Sequence, residues 1–182
     1  MQSDFDRIMS RMLSDNLSQR AEKIAAVDPD RSISYTGLAA EAGRVADWLR
    51  ARGIRPGDRV IVHLRKGIDE VAAMFGAWKI GAVVVNVNMR WTPAQLAYVA
   101  RDCRARAAIL PARALAGLSG DNALSKDTAF LVQGKAEGLA QGADPWTALD
   151  ADSGSAPDES DPAGLAMIIY TSGSTGAPKG VM

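Results

Sequence analysis

The chain has one cysteine, Cys103, and one histidine, His63. A single thiol excludes an intrachain disulfide and fits a reducing, cytoplasmic setting. It also leaves too few ligands for a zinc-type metal site. Cys103 reads as a buried structural thiol, because free cysteine is commonly buried and inert unless its surroundings favour the thiolate. An excess of one charge is missing too: Lys plus Arg number 21 and Asp plus Glu number 21. That balance argues against a protein that coats nucleic acid or an anionic membrane. Arg101, Arg104 and Arg106 therefore read as the solvated face of a helix end. No apolar run is long enough to span a bilayer, since the most apolar region, Val71 to Val87, is broken by Lys79 and Asn86. The N-terminus "MQSDFDRIMSRML" mixes acids and bases and lacks the plan of a secretory leader.

What remains is an ordinary globular composition, 47% hydrophobic and 23% charged over 182 residues. Periodicity divides it into alternating elements. Phe5, Ile8, Met9, Met12 and Leu13 recur at helical spacing, which predicts a packed amphipathic helix over Asp4 to Glu22. Ile24 to Val27 and Ser32 to Tyr35 flank "DPDR", turn chemistry that predicts a hairpin. Leu38, Ala42, Val45 and Leu49 form a helical stripe that Gly53 ends. "RVIVHL" is a strand. Val71, Met74, Phe75 and Trp78 mark the face of the next helix, closed by Gly81. "AVVVNV" lacks polar alternation at its start, as a central parallel strand does. "TPAQ" at Thr92 to Gln95 carries a capping box with proline at the first helical position, and Leu96, Val99 and Cys103 follow as its buried stripe. "AAIL" and "TAFLV" are further strands. This rhythm predicts βαβ units and an open, mostly parallel α/β sheet with flanking helices. From about 134 to 162 the chain is rich in Gly, Ala, Asp and Ser, which predicts a surface linker with little means of packing. A buried strand, "LAMIIY", comes next.

That strand delivers "YTSGSTGAPKG", Tyr170 to Gly180. A loop at the C-terminal end of a strand in an open α/β sheet is well placed to bind a ligand. Gly173 and Gly176 permit close backbone approach, and exposed N–H groups in such a loop form a nest for anions. Thr171, Ser172, Ser174 and Thr175 add hydroxyls, and Lys179 adds a positive charge. The set suits a polyphosphate. It is not a Walker A loop, which needs glycine directly before the lysine, a hydroxyl after it, and a helix next. Here Pro178 precedes Lys179, Gly180 follows, and a strand is predicted beyond. A flexible Gly/Ser linker is the competing explanation, but a linker needs neither a buried strand before it nor a lone lysine behind a proline.

"YTSGSTGAPKG" resembles the signature phosphate loop of the adenylate-forming (AMP-binding) enzymes, which include acyl-CoA synthetases and the adenylation domains of nonribosomal peptide synthetases. "ISYTGLAAEAGRVADWLRARGIRPGDRV" and "EVAAMFGAWKIGAVVVNVNMRWTPAQLAYVARDCRARAAI" are similar to that family's first conserved blocks. The likeness runs from about Ile24 to Met182. It departs at Arg65 and Lys66, where many acyl-CoA synthetases carry Pro-Asn, and at Asn86, where many carry Pro.

The resemblance implies that residues 1–182 are the N-terminal part of that family's large domain. The parts are a first subdomain to about 133, an acidic linker to about 162, and the strand with its phosphate loop. It implies ATP-dependent activation of a carboxylic acid through an acyl-adenylate, then transfer to coenzyme A or a carrier-protein phosphopantetheine. Thr171, Ser172, Gly173, Ser174, Thr175, Gly176 and Lys179 would hold ATP. The magnesium ligand and the catalytic residues are expected beyond Met182, together with most of the acid pocket. Fatty, aromatic and amino acids all stay open as substrates. Two other expectations stand beside this one: a truncated, non-catalytic binding module, inactive alone, and an unrelated nucleotide-binding α/β domain.

Overall fold

A computed structural model describes residues 9, 11–119, 122–134, 142–150, 158–159, 164–172 and 178–182, with Ser172 by its backbone. Helix α1 (Arg11–Arg20) leads into the antiparallel hairpin of β1 (Ile24–Val27) and β2 (Ser32–Ser34). Then follow α2 (Tyr35–Ala51), β3 (Arg59–Val62), α3 (Ile68–Lys79), β4 (Val83–Asn86), α4 (Pro93–Asp102), β5 (Ala107–Pro111) and α5 (Ala112–Ala116). β6 (Ala129–Gln133), β7 (Ala143–Pro145), β8 (Met167–Ser172) and β9 (Pro178–Val181) complete the order.

Three helix starts have an identifiable cause. The Ser34 hydroxyl accepts from Gly37 N at 3.2 Å and caps α2, a common way to satisfy an orphan N–H. Thr92 and Gln95 form the expected capping box on α4, with Pro93 in the first turn. α3 has no cap of its own; the Asp28 carboxylate, in the β1–β2 turn, accepts from Ile68 N at 3.1 and 3.2 Å. A negative charge there complements the helix dipole. It also fastens the hairpin to the body of the domain.

The seven-stranded sheet runs β7-β6-β5-β3-β4-β8-β9. All its pairs are parallel except β8–β9. β3 is flanked by β4 and β5, and β4 by β3 and β8, so both inner strands are covered by neighbours and by helices. Their residues Val60, Ile61, Val62, Val84 and Val85 are fully buried, as the unbroken apolar runs require. One face packs against α2 and α3 through Val45, Leu49, Ala73, Ala77 and Trp78. The other packs against α4 and α5 through Leu96, Val99, Cys103 and Leu115.

Three expectations change. In the first helix, Phe5 and Ile8 lie outside the described residues, and the described span of α1 is Arg11–Arg20. Within it Leu13 is buried, whereas Met12 is 51% exposed, because one residue further is a 100° turn around so short a helix. In α3 the buried hydrophobic positions are Ile68, Ala72, Ala73, Ala77 and Trp78, while Val71, Met74 and Phe75 are half-buried. α3 packs on both the sheet and α2, and close approach on both sides selects small residues; the larger ones fill the margins. Finally, 143–149 is not unpacked linker. β7 joins the sheet beside β6, and Trp146 and Leu149 pack on the main core. Asp144 explains this: it accepts from Trp48 Nε1 at 2.8 Å and pairs with Arg52.

The α2–α3 contact supplies a test. A Cβ on Gly76 would lie 2.7 Å from the Ala42 carbonyl and 2.7 Å from Val45 Cβ. Gly76→Ala should therefore destabilise the fold by about 1–3 kcal/mol, the usual scale for overpacking. The expected result is a lower urea midpoint at unchanged m-value.

Candidate functional site

β8 and β9 are the stems of a hairpin whose tip, 173–177, lies outside the described residues. Register pairs Thr171 with Lys179, Ser172 with Pro178, Tyr170 with Gly180 and Ile169 with Val181. The chain leaves β8 into an antiparallel strand, not a helix. That geometry excludes a Walker A loop, which opens a helix. Pro178 begins β9, a position that tolerates the missing N–H.

Residues paired across strands share a face, and neighbours along a strand alternate. Thr171 and Lys179 thus project side by side on the α3 side of the sheet, and both are exposed. Ile169 and Val181 lie behind them on that face, 53% and 56% exposed. On the opposite face Tyr170 and Pro178 are buried. The Tyr170 hydroxyl donates to the Asp102 carboxylate at 2.5 Å, and its ring lies against Gly180, where a Cβ would be 3.1 Å from Cζ. Burial, then the Asp102 hydrogen bond, holds the Tyr170 hydroxyl well above its ordinary range. The structure therefore brings Thr171 and Lys179 together at the C-terminal end of a parallel strand. Gly173, Ser174, Thr175 and Gly176 fall outside the described residues, as does the Ser172 side chain.

A second polar group borders the hairpin. Asn86 ends β4 and pairs in register with Ile169. Its Nδ2 donates to Glu70 Oε1 at 2.9 Å, and Lys66 Nζ donates to the same oxygen at 2.6 Å. Glu70 is 4% exposed, and a carboxylate buried to that degree is costly unless paired and hydrogen-bonded. The departures at Lys66 and Asn86 are thus one feature: both serve Glu70, which nothing in the sequence singled out. Asp102 was also missed. A carboxylate at a helix C-terminus opposes the dipole, and that local misfit was the available signal.

His63 and Cys103 have structural surroundings. His63 Nδ1 lies 3.2 Å from the Val87 carbonyl; a carbonyl only accepts, so Nδ1 carries the proton. Burial lowers the His63 pKa. Burial pushes the Cys103 thiol up to about 11, which leaves it protonated near neutrality and a poor nucleophile. Among the described residues no group of three or more His, Cys, Asp and Glu could hold a metal. A cleft of about 430 Å³ lies at the N-terminal ends of β3, β4 and β8, lined by Pro56, Arg59, Trp78, Val83 and Ala166. It is at the opposite end of the strands from the hairpin.

Residues 13–182 match the family model of the AMP-binding enzyme. The chain is 33% identical over 166 residues to a 3-oxocholest-4-en-26-oate–CoA ligase of Rhodococcus rhodochrous, covering 88% of this chain and 30% of that protein. It is 30% identical over 176 residues to an L-proline–[L-prolyl-carrier protein] ligase of Pseudomonas fluorescens, covering 96% and 34%. In structure it is similar to the anthranilate CoA ligase AuaEII in complex with anthranoyl-AMP. That superposition has a TM-score of 0.81 and 28% identity, covering 94% of this chain and 33% of that one. The chain spans about a third of the length of these relatives.

The buried imidazole sets a pH dependence. Above its ordinary value of 6.5, His63 is neutral in both states and contributes no slope. Below that value the unfolded chain binds a proton that the folded chain holds off, so stability falls with pH until the lowered folded value is passed. The slope approaches but does not exceed about 1.4 kcal/mol per pH unit for one proton. Unfolding free energies measured between about pH 5 and 6.5, where histidine titrates, should fall more gently on acidification in His63→Gln than in the parent.

Proposed function

The chain belongs to the AMP-binding enzyme family, and from that premise we propose that it is the N-terminal part of an acid–thiol ligase. In the proposed reaction a carboxylate oxygen attacks the α-phosphorus of ATP. The bond to the bridging oxygen breaks, and pyrophosphate leaves with its electron pair. The thiol of coenzyme A or of a carrier-protein phosphopantetheine then displaces AMP from the acyl carbon. Similarity to both a CoA ligase and a carrier-protein ligase supports an acceptor of this chemistry. A cytoplasmic setting fits ATP and such thiols, and among the described residues no helix is long and apolar enough to cross a membrane.

The observation that carries the proposal is the pairing of Thr171 with Lys179 on an open face at the C-terminal end of β8. There the Lys179 ammonium supplies a point charge, and the Thr171 hydroxyl a donor, to the β- and γ-phosphates. Both act on charge that grows on pyrophosphate as it departs, where preorganised donors are most effective. Ser172, Gly173, Ser174, Thr175 and Gly176 are assigned to the same phosphates by their residue chemistry. Magnesium, when bound, supplies further positive charge; its ligand and the remaining catalytic groups are assigned to residues beyond Met182. Residues 13–182 are assigned to the AMP-binding domain as a whole, 143–149 included, since β7, Trp146 and Leu149 pack into the same sheet and core.

Lys179→Ala in the complete enzyme removes a charge-assisted hydrogen bond of about 1.5–3 kcal/mol. ATP–pyrophosphate exchange should fall roughly 10- to 100-fold; an unchanged rate would remove Lys179 from the site. The isolated 182-residue chain, which spans about a third of its relatives, should form no acyl-adenylate alone. Stoichiometric acyl-AMP from the purified chain would show that residues 1–182 suffice.

A further inference from the structure

We propose that Tyr170 and Asp102 are positioning residues that hold β8 and β9 in register, so that Thr171 and Lys179 meet the phosphates together. This rests on the phosphate-binding role proposed above and adds two residues to it.

The geometry joins three elements at one ring. Tyr170 lies one residue before Thr171, and its cross-strand partner Gly180 lies one residue after Lys179. The ring lies against Gly180, so the bare Cα lets β9 close on β8. The hydroxyl then reaches Asp102, the last residue of α4. Thr171 and Lys179 project away from this ring, on the far face of the sheet.

The chemistry shows why this contact is more than filling. Tyr170 is 9% exposed and belongs to the apolar cluster beneath α4, where an unpaired hydroxyl is costly. Asp102 is on the unfavourable side of its own helix dipole, since a carboxylate at a C-terminus is repelled by the exposed carbonyls. The Tyr170 hydroxyl finds its partner in Asp102, and Asp102, itself exposed, gains a donor where its helix offers only carbonyls; local misfits of this kind concentrate where a site must be held. Among the described residues no helix covers the exposed Ile169 and Val181 on one face of this stem, and the β4 ladder runs only as far as the Asn86–Ile169 pair; the Tyr170 bond supplies a tether beyond it from the covered side. Lys179 and Thr171 need that tether because a displacement of about 1 Å at a reacting group lowers rates by up to about 100-fold.

The test uses Tyr170→Phe, Asp102→Ala and their double variant in the complete enzyme, with Asp102→Asn as the conservative replacement that keeps an acceptor oxygen. Pyrophosphate exchange gives kcat/KM for ATP and KM for the acid. Each single variant is expected to lose about 10-fold in kcat/KM for ATP, equivalent to about 1.4 kcal/mol, with KM for the acid unchanged. The double variant should be within twofold of the singles, and Asp102→Asn should recover most of the loss. Losses that multiply in the double variant, or a lowered melting temperature with unaltered ATP kinetics, would overturn the proposal. Amide hydrogen exchange over 167–181 without ATP separates this failure from failure of the proposed activity. Faster exchange in both singles supports the tether even if no acid is activated, and unchanged protection refutes it. Should Tyr170→Phe fail to fold, the Asp102→Ala and Asp102→Asn pair carries the same comparison.

Discussion

The ladder between β4 and β8 places everything at the candidate site. β4 is buried on both faces, and its N–H and C=O groups on the side away from β3 must find partners, because an unpaired buried backbone group is costly. β8 supplies them in register from Val84–Met167 to Asn86–Ile169. Val84 N donates to the Ala166 carbonyl at 3.0 Å, and Trp78 Nε1 donates to the same oxygen at 2.8 Å. Sheet and helix thus grip the chain just before the strand starts. Two residues past the last ladder pair, Thr171 emerges at the edge of the sheet. Its position follows from backbone hydrogen bonding far from any ligand.

Long-range polar ties do the remaining placement, and most connect a loop to a finished element. Asp28 caps a helix forty positions on, Asp144 binds Trp48 on α2 and Arg52 just past its end, and Glu159 pairs with Arg50 at 2.6 Å. None needs to be a strong stabiliser, since exposed and half-exposed ion pairs are individually weak. Their effect is to fix where each of these segments meets the element it ties to. Glu70 differs because it is buried, and Lys66 and Asn86 compensate a charge that would otherwise be expensive there. That exchange of roles lies one strand from the hairpin, so departures that look unrelated along the chain form one physical unit beside the site.

Periodicity made the helices and inner strands legible because each buries one stripe or both faces, and burial writes itself into residue spacing. The capping box at Thr92, the central character of Val83–Asn86 and a strand at Gly180 and Val181 are local properties; that strand begins two residues earlier than expected, at Pro178, so that Lys179 lies within it. The small-residue face of α3 was not legible, since Val71, Met74 and Phe75 also recur at helical spacing and only the position of α2 shows which side is compressed. β7 was hidden for a related reason. Its residues Ala143, Asp144 and Pro145 carry no strand propensity, and a neighbouring strand with the Trp48 and Arg52 ties is what extends them.

By itself the sequence determined the chemistry offered at the candidate site: hydroxyls, glycines and one lysine behind a proline, between two strands; the first, expected to be buried, is half-buried in the sheet, with Ile169 53% exposed. Those are choices of chemistry and local geometry, and they are complete within "YTSGSTGAPKG". Only the tertiary structure decided which of those side chains face outward together, and what stands behind them. Face and register depend on where β9 pairs, on a ring that fits against Gly180, and on an aspartate at the end of a helix sixty-eight positions away. No spacing rule within the motif reaches that far, because the partner is supplied by the fold.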